Sequence, residues 1–349
     1  MHLQKTSNIL EQAVKHSERK LPFVLFRKPG EELILGVFQD SKELFFFNDY
    51  NASGFIFAPF DIDEAAIKVL PDRVLQEKYK EVAPLTLNAI KVNQDGKASY
   101  LQKVDKAIHQ IANGAFKKVV FSRRIDVSTK RKSSELFQNL LANYGNAFCY
   151  WFYHPKVGEW FGATPERFLQ IKEQKLQTTS LAGTLPFKEN ELPDWSSKEL
   201  DEQQIVTDDI VGKLAKLNLK ATIKGPVNTK AGKLWHLKST IDVDLNSEED
   251  IAEIIKSLHP TPAVCGMPTQ PTKAYILENE GYNRGYYTGF LGDLNVFNNT
   301  VDLYVNLRCM SKHDSKVNIY VGGGLTKDSI PEKEWQETVN KSKTMLTLL

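Results

Sequence analysis

The 349-residue sequence predicts an α+β fold, and three observations predict it. Short segments rich in β-branched and aromatic residues follow one another with only polar turns between them, as in the run from Ala147 to Gly183. Helical stretches come singly between such runs rather than after every strand, which argues against a doubly wound parallel sheet. An apolar content of 41% over this length supplies enough side chains for a large core.

Taken in order, residues 1 to about 90 read as a helix followed by strands at "FVLFRK", "ELILGVF" and "ELFFFN". "VNQDGKASY", centred on Asp95-Gly96, reads as a turn. Leu101, Val104, Ile108 and Ile111 then recur at helical spacing, and Gly114 supplies the stop. "KKVVFSRRI" is a short strand, and "AFCYWFYH", "EWFGA", "RFLQIK" and "KLQTTSLAG" are four more. The pattern turns helical from Ser196 to about Leu217 and returns to strand alternation in "HLKSTIDVDL" and "TVDLYVNLRCM". The last element is a helix beginning in "DSIPEKEW", where Ser329 and Glu332 have capping-box spacing and Pro331 sits in the first turn. The stretch "LHPTPAVCGMPTQPTKA", Leu258 to Ala274, carries four prolines and so is neither an uninterrupted helix nor a central strand. It reads either as a stiff loop against a ligand or as a long surface turn.

Bulk charge narrows the partners. Lys plus Arg total 45 and Asp plus Glu 43, a net +2 without a basic block, which speaks against nucleic acid. Cys149, Cys265 and Cys309 lie far apart, which excludes a CxxC zinc site and a disulfide framework and fits a reducing cytosol. The polar start and the brevity of the apolar runs "LFFF" and "FIFAPF" point to a soluble cytoplasmic protein with no membrane partner.

Several patterns bear on chemistry. "GPVNTKAGK" lacks phosphate-loop spacing. "VGGGLTKDS" could present backbone amides to an anion or form a tight turn. Glu199 and Glu202 share a helix face, as do Glu334 and Glu337, with Lys341 at i+4 from Glu337. One such helix alone reads as a solvated surface; two converging acidic pairs suit a hard divalent cation. Glu166 follows a proline turn between strands, Lys118 opens a strand, and Arg308 stands in an alternating strand where it would need an anionic partner.

The ordered set "KVVFSR", "ATPERFL", "SLAGT", "SKELDEQQIVTDDI", "HLKSTI", "LHPTPAVCG", "NRGYYTGFLG", "LRCM" and "VGGGLTKDSIPEKEWQETVNK" resembles the chorismate-utilising enzymes, and within them most closely the isochorismate synthases. The resemblance covers residues 99 to 349; residues 1–95 are similar only to the variable N-terminal part of such enzymes, expected to pack into the same domain as the catalytic region 96–349. It implies two stacked antiparallel sheets flanked by helices. It also implies magnesium-dependent addition of water at C2 of chorismate with loss of the C4 hydroxyl, for menaquinone or siderophore synthesis.

By matching motifs, the resemblance makes Lys118 the general base and Glu166 the general acid. The first must be neutral part of the time and the second must stay protonated near neutrality, and burial favours both. It makes Glu202 and Glu337 magnesium ligands, with Glu199 and Glu334 one helical turn before them holding the metal's waters. Arg308 would pair with the enolpyruvyl carboxylate, and the Gly322 and Gly323 amides with Lys341 would add anion contacts. Gly183, Thr184 and His236 would line the pocket. Ala263 stands where ammonia users have threonine and water users alanine. The expected enzyme is a monomer that needs no amidotransferase. Salicylate synthase, and less so component I of anthranilate or aminodeoxychorismate synthase, are the alternatives. Gln203, Leu185 and Cys265 depart from the usual pattern without removing a catalytic group.

Overall fold

A computed structural model describes residues 8–47, 53–61, 63–80, 94–186, 189, 191–231, 234–246, 251–297 and 300–349. Among these, eighteen strands form two nine-stranded sheets, and every ladder is antiparallel. The first sheet runs β14 (Gly266–Met267), β7 (Lys118–Ser128), β18 (Lys316–Leu325), β17 (Cys309–His313), β9 (Gly158–Thr164), β8 (Phe148–His154), β1 (Phe23–Arg27), β2 (Leu33–Phe38), β6 (Arg73–Lys78). The second runs β12 (Ala221–Ala231), β13 (Leu234–Asp244), β11 (Lys175–Pro186), β10 (Arg167–Lys172), β16 (Val301–Val305), β15 (Phe290–Leu294), β4 (Gly54–Ala58), β5 (Ile67–Val69), β3 (Phe45–Phe46). The helices are α1 (Ile9–Glu18), α2 (Lys97–Ala112), α3 (Ser133–Asn143), α4 (Ser197–Lys216), α5 (Ile251–Leu258), α6 (Thr269–Asn279) and α7 (Pro331–Leu346). None is long and apolar enough to cross a membrane among the described residues.

Period-two patterning explains the layers. Along β1, Val24 and Phe26 face the second sheet and pack with Phe55 and Phe57 of β4. Phe23 and Leu25 point the other way, to a cluster containing Ile9 and Ala13 of α1 and Leu140 of α3. All five β1 residues are therefore buried, because the sheet is covered on both faces. Val206, Ile210 and Leu214 of α4 and Ile254 and Ile255 of α5 cover the second sheet at Leu169, Leu176 and Ile241. Tyr100 and Val104 of α2, Ile276 of α6 and Trp335 of α7 cover the first sheet at Val119 and Phe121. Strands from the first eighty residues enter both sheets: β1, β2 and β6 the first, β3, β4 and β5 the second.

Lys28, just past β1, reaches between the sheets to Asp302 (3.1 Å) and Asp293 (3.6 Å), cross-strand neighbours on β16 and β15. Burial pushes the Asp293 carboxyl up to about 6.

Several expectations change. "TVDLYVNLRCM" is not one strand: β16 belongs to the second sheet and β17 to the first, and the chain crosses between them at residues 306–308. Arg308 sits in that crossing with φ +46°, outside any strand. Gly322–Gly324 are neither loop nor turn but the end of β18, paired in register with Ser122, Phe121 and Val120. The N-cap of α7 is Ile330, not Ser329; the Ser329 hydroxyl instead accepts from the Thr326 amide at 3.1 Å. Leu258–Ala274 holds the end of α5, a turn, edge strand β14 and the start of α6. Asn48 of "ELFFFN", residues 92 and 93 before the Asp95-Gly96 turn, and 81–93 beside the 95/96 boundary lie outside or abut the edge of the described residues.

Candidate active site

Two crossings between the sheets build the centre of the site. β9 passes to β10 through Pro165-Glu166, and β16 passes to β17 through residues 306–308. The crossings are stitched together: the Val305 amide donates to the Glu166 carbonyl at 3.0 Å, and the Ala163 amide to the Arg308 carbonyl at 3.1 Å. This sets Glu166 beside Arg308. Glu166 is half-buried. Burial pushes it up to about 7, against the pull of Lys118, Arg308 and Lys341. The charges of β7, the second crossing and α7 thus act on one carboxyl, without outweighing its burial.

Lys118 opens β7 with its side chain 20% exposed, and its Nζ lies 3.0 Å from Glu202 Oε1 on α4. A Cβ at Gly324 would fall 2.9 Å from Lys118 Cε, so the bare glycine on the neighbouring strand gives the lysine chain its bed. β14 flanks β7 on its far side, with Met267 paired to Lys118 and Gly266 to Val119. The Val120 amide adds a bond to the Cys265 carbonyl at 2.8 Å. The segment carrying Ala263, itself half-buried, is therefore tied to the strand that carries Lys118.

On the α7 side, Gly323 has Glu334 Oε2 and Glu337 Oε1 each 3.3 Å from where a Cβ would stand. A side chain there would push both carboxylates away. Lys341 Nζ donates to the Gly322 carbonyl at 2.9 Å and pairs with Glu337 at 2.6 Å. β17 pairs with β18 no further than Tyr320, so among the described residues one edge of β18 has no strand neighbour at Gly322–Gly324. Burial raises the Glu334 carboxyl against a hydrogen bond from Ser329, and its Oε2 is buried with no direct partner among the described residues. An orphaned buried carboxylate oxygen calls for a cation or a water.

The second sheet supplies the remaining wall. Gly183 sits at a bulge in β11 with φ +71°, a conformation glycine adopts freely. Its carbonyl accepts from His236 Nδ1 at 3.1 Å. Burial lowers the His236 imidazole against the hydrogen bond to Gly183, with the charges of Lys341 and Arg308 adding to the burial. Thr184 pairs in register with His236. Glu199 packs under Gly183 and completes the α4 capping box, its Oε2 accepting from the Ser196 amide at 3.0 Å and from the Ser196 hydroxyl.

Lys118, Glu166, Glu202, Arg308, Lys341 and His236 are thus linked by contacts or mutual electrostatics, and Glu334 and Glu337 meet over Gly323. Among the described residues no three acidic, histidine or cysteine side chains stand close enough to share a metal as they are, since Glu202 carries Lys118 and Glu199 caps α4. Gln203, a departure from the usual pattern, is buried and donates to Ser180, Thr207 and Ser239, joining α4 to β11 and β13.

Sequence reasoning gave Gly324 and the Arg284–Glu280 pair no role. Only their glycine run and their i, i+4 spacing in "NEGYNRG" could have signalled them.

Two stacked antiparallel sheets, with a carboxyl of raised pKa at the crossing between them, define the class of protein. The chain belongs to the chorismate binding enzyme family, whose pattern matches residues 12–347. It is 29% identical over 263 residues to the isochorismate synthase MenF of Escherichia coli K12, covering 72% of this chain but only 60% of MenF. It is 28% identical over 314 residues to the isochorismate synthase DhbC of Bacillus subtilis, covering 82% of this chain and 78% of DhbC. In fold it is similar to the structure of MenF, the menaquinone-specific isochorismate synthase from Escherichia coli, with a TM-score of 0.82 at 20% identity, covering 99% of this chain and 92% of the other.

Proposed function

We propose that this chain is an isochorismate synthase, which adds water at C2 of chorismate and expels the C4 hydroxyl. The observation that carries the reading is Glu166, set at the crossing between the sheets and held up to about 7 by burial. A carboxyl that keeps its proton near neutrality is matched to general-acid work. Arg308 and Lys341 supply positive charge matched to a substrate with two carboxylates. The similarity to isochorismate synthases supports the same reading.

In the proposed reaction, the Lys118 amine accepts a proton from the attacking water as its oxygen bonds to C2. Glu166 gives its proton to the C4 oxygen as the C4–O bond breaks and the ring double bonds shift. One water enters and one leaves. Arg308 pairs with the enolpyruvyl carboxylate through its planar fork, and the Gly322–Gly323 backbone and Lys341 engage anionic oxygens. His236, Gly183 and Thr184 line the pocket. Ala263 leaves room for water, and its tie to β7 keeps that room next to Lys118.

The acidic residues on α4 and α7 suit magnesium in donor chemistry, and the orphaned Glu334 oxygen fits a nearby cation. Glu202 and Glu337 would bind it, and Glu199 and Glu334 would hold its waters. The ion would supply counter-charge and orientation for the ring carboxylate. The chain acts alone in the cytoplasm, where three buried free thiols remain reduced.

Incubation of purified protein with chorismate, with and without magnesium, followed by chromatography tests this. Isochorismate appearing only with magnesium is the expected result. Free salicylate with pyruvate, or an amine formed from ammonium, would replace the reading with one of its relatives.

A further inference from the structure

Arg284 and Glu280, at the C-terminal end of α6 and just beyond it, are fully buried. They form an ion pair at i, i+4. Arg284 Nε donates to Glu280 Oε2 at 2.7 Å, and one terminal nitrogen donates to Glu280 Oε1 at 2.5 Å. That same nitrogen donates to the Val120 carbonyl at 2.7 Å. The other terminal nitrogen donates to the Val264 carbonyl and to Thr288 Oγ1, both at 3.0 Å. All five guanidinium hydrogens therefore have acceptors. Glu280 in turn accepts from the Ser122 amide and hydroxyl, both at 2.7 Å. The guanidinium lies over the Phe60 ring, 4.4 Å from its centre.

Two of these acceptors matter for the site. Val264 follows Ala263, and Val120 lies two residues beyond Lys118 on β7. One planar group thus grips the backbone of both segments that flank the proposed position of the attacking water. A buried ion pair is a poor way to add stability, because desolvation offsets its attraction. What a fully satisfied guanidinium does well is fix geometry.

We infer that Arg284, braced by Glu280, is a positioning residue that sets the separation between the Ala263 turn and Lys118, and so the space in which the nucleophile is held. The inference rests on the function proposed above. Arg284 touches no reacting atom; it acts through the backbone of Val264 and Val120.

The test uses the full chain with R284K, which keeps the charge but loses the fork. K28M serves as a control, since it breaks a buried ionic cluster between the sheets away from both segments. Steady-state kinetics with chorismate are read well below each variant's melting temperature, and amide hydrogen exchange is read without substrate. A misplacement on the order of 1 Å costs about 100-fold in rate. R284K is therefore expected to lose about 100-fold in kcat with KM changed less than about threefold, while K28M melts earlier but keeps its kcat. Exchange at residues 264–267 should quicken by about tenfold in R284K and not in K28M.

If kcat falls no further in R284K than in K28M, or if exchange at 264–267 is unaltered, the clamp is only a core ion pair and the inference is wrong. Should R284K not fold, S122A deletes one support of Glu280, leaves the ion pair in place, and must show the same changes at smaller scale. If the native protein makes no isochorismate, the functional reading fails, and the exchange measurement alone decides whether the clamp orders the turn.

Discussion

Replacing Glu166 with glutamine should make the protein more stable while disabling it, and the size of the gain should depend on pH. Burial raises the Glu166 carboxyl from its ordinary 4.5 to about 7 in the folded chain. The folded state therefore binds this proton more tightly than the unfolded chain does. The resulting stabilisation is complete below pH 4.5 and is lost as pH rises to about 7. At 1.36 kcal/mol per tenfold change, the interval from 4.5 to about 7 corresponds to about 3 kcal/mol. Above pH 7 the native protein carries that cost as a buried, ionised carboxylate, whereas glutamine, close in size and always neutral, does not. Urea unfolding should show E166Q ahead of the native protein by about 3 kcal/mol at pH 8 and by under about 1 kcal/mol at pH 5. Its turnover should fall by about 10²–10⁴-fold for want of an acid. For the native enzyme, kcat/KM should decline about tenfold per pH unit above 7 as Glu166 of the free enzyme ionises. A stability difference that is the same at both pH values would refute the argument, because it would mean that Glu166 is not held protonated by its surroundings.

Other expectations concern single residues. K118A should lose about 10²–10⁴-fold in kcat while equilibrium dialysis still detects chorismate binding; turnover at the native rate would remove Lys118 from the mechanism. A263T should crowd the space beside Lys118 and cut isochorismate formation by at least about tenfold, measured by chromatography with saturating chorismate. G323A places a methyl carbon 3.3 Å from a carboxylate oxygen of both Glu334 and Glu337. Magnesium titration by calorimetry should then show binding weakened by about tenfold or more, and an unchanged isotherm would take the α7 carboxylates out of the metal site.

Much of the architecture is written in periodicity. Short β-branched and aromatic segments mark β7 to β11, and burial on both faces explains the apolar run Phe23–Phe26 of β1. Period-two patterning fails at Arg308 because alternation continues unbroken while the chain changes sheets, and only a local φ of +46° marks the crossing. The glycines of β18 read as an anion-binding loop or a tight turn because their reason for being small lies elsewhere, in Lys118 and the α7 carboxylates that close over the strand. Ser329 has capping spacing, yet its hydroxyl is used by the Thr326 amide. The paired acids on α4 and α7 are legible as i, i+3 faces, but that Glu202 meets Lys118 is tertiary information. Arg284 escapes a sequence reading because a buried arginine is specified by the carbonyls it reaches, and neither Val120 nor Val264 is near it along the chain.

The most direct test of the proposed chemistry is to run the reaction in ¹⁸O-labelled water and locate the label in the product by mass spectrometry. An oxygen that comes from solvent and bonds to C2 predicts isochorismate with ¹⁸O in its C2 hydroxyl at the first turnover. Unlabelled isochorismate would mean that the original C4 hydroxyl had migrated within the molecule, and the pairing of Lys118 with an attacking water would be contradicted.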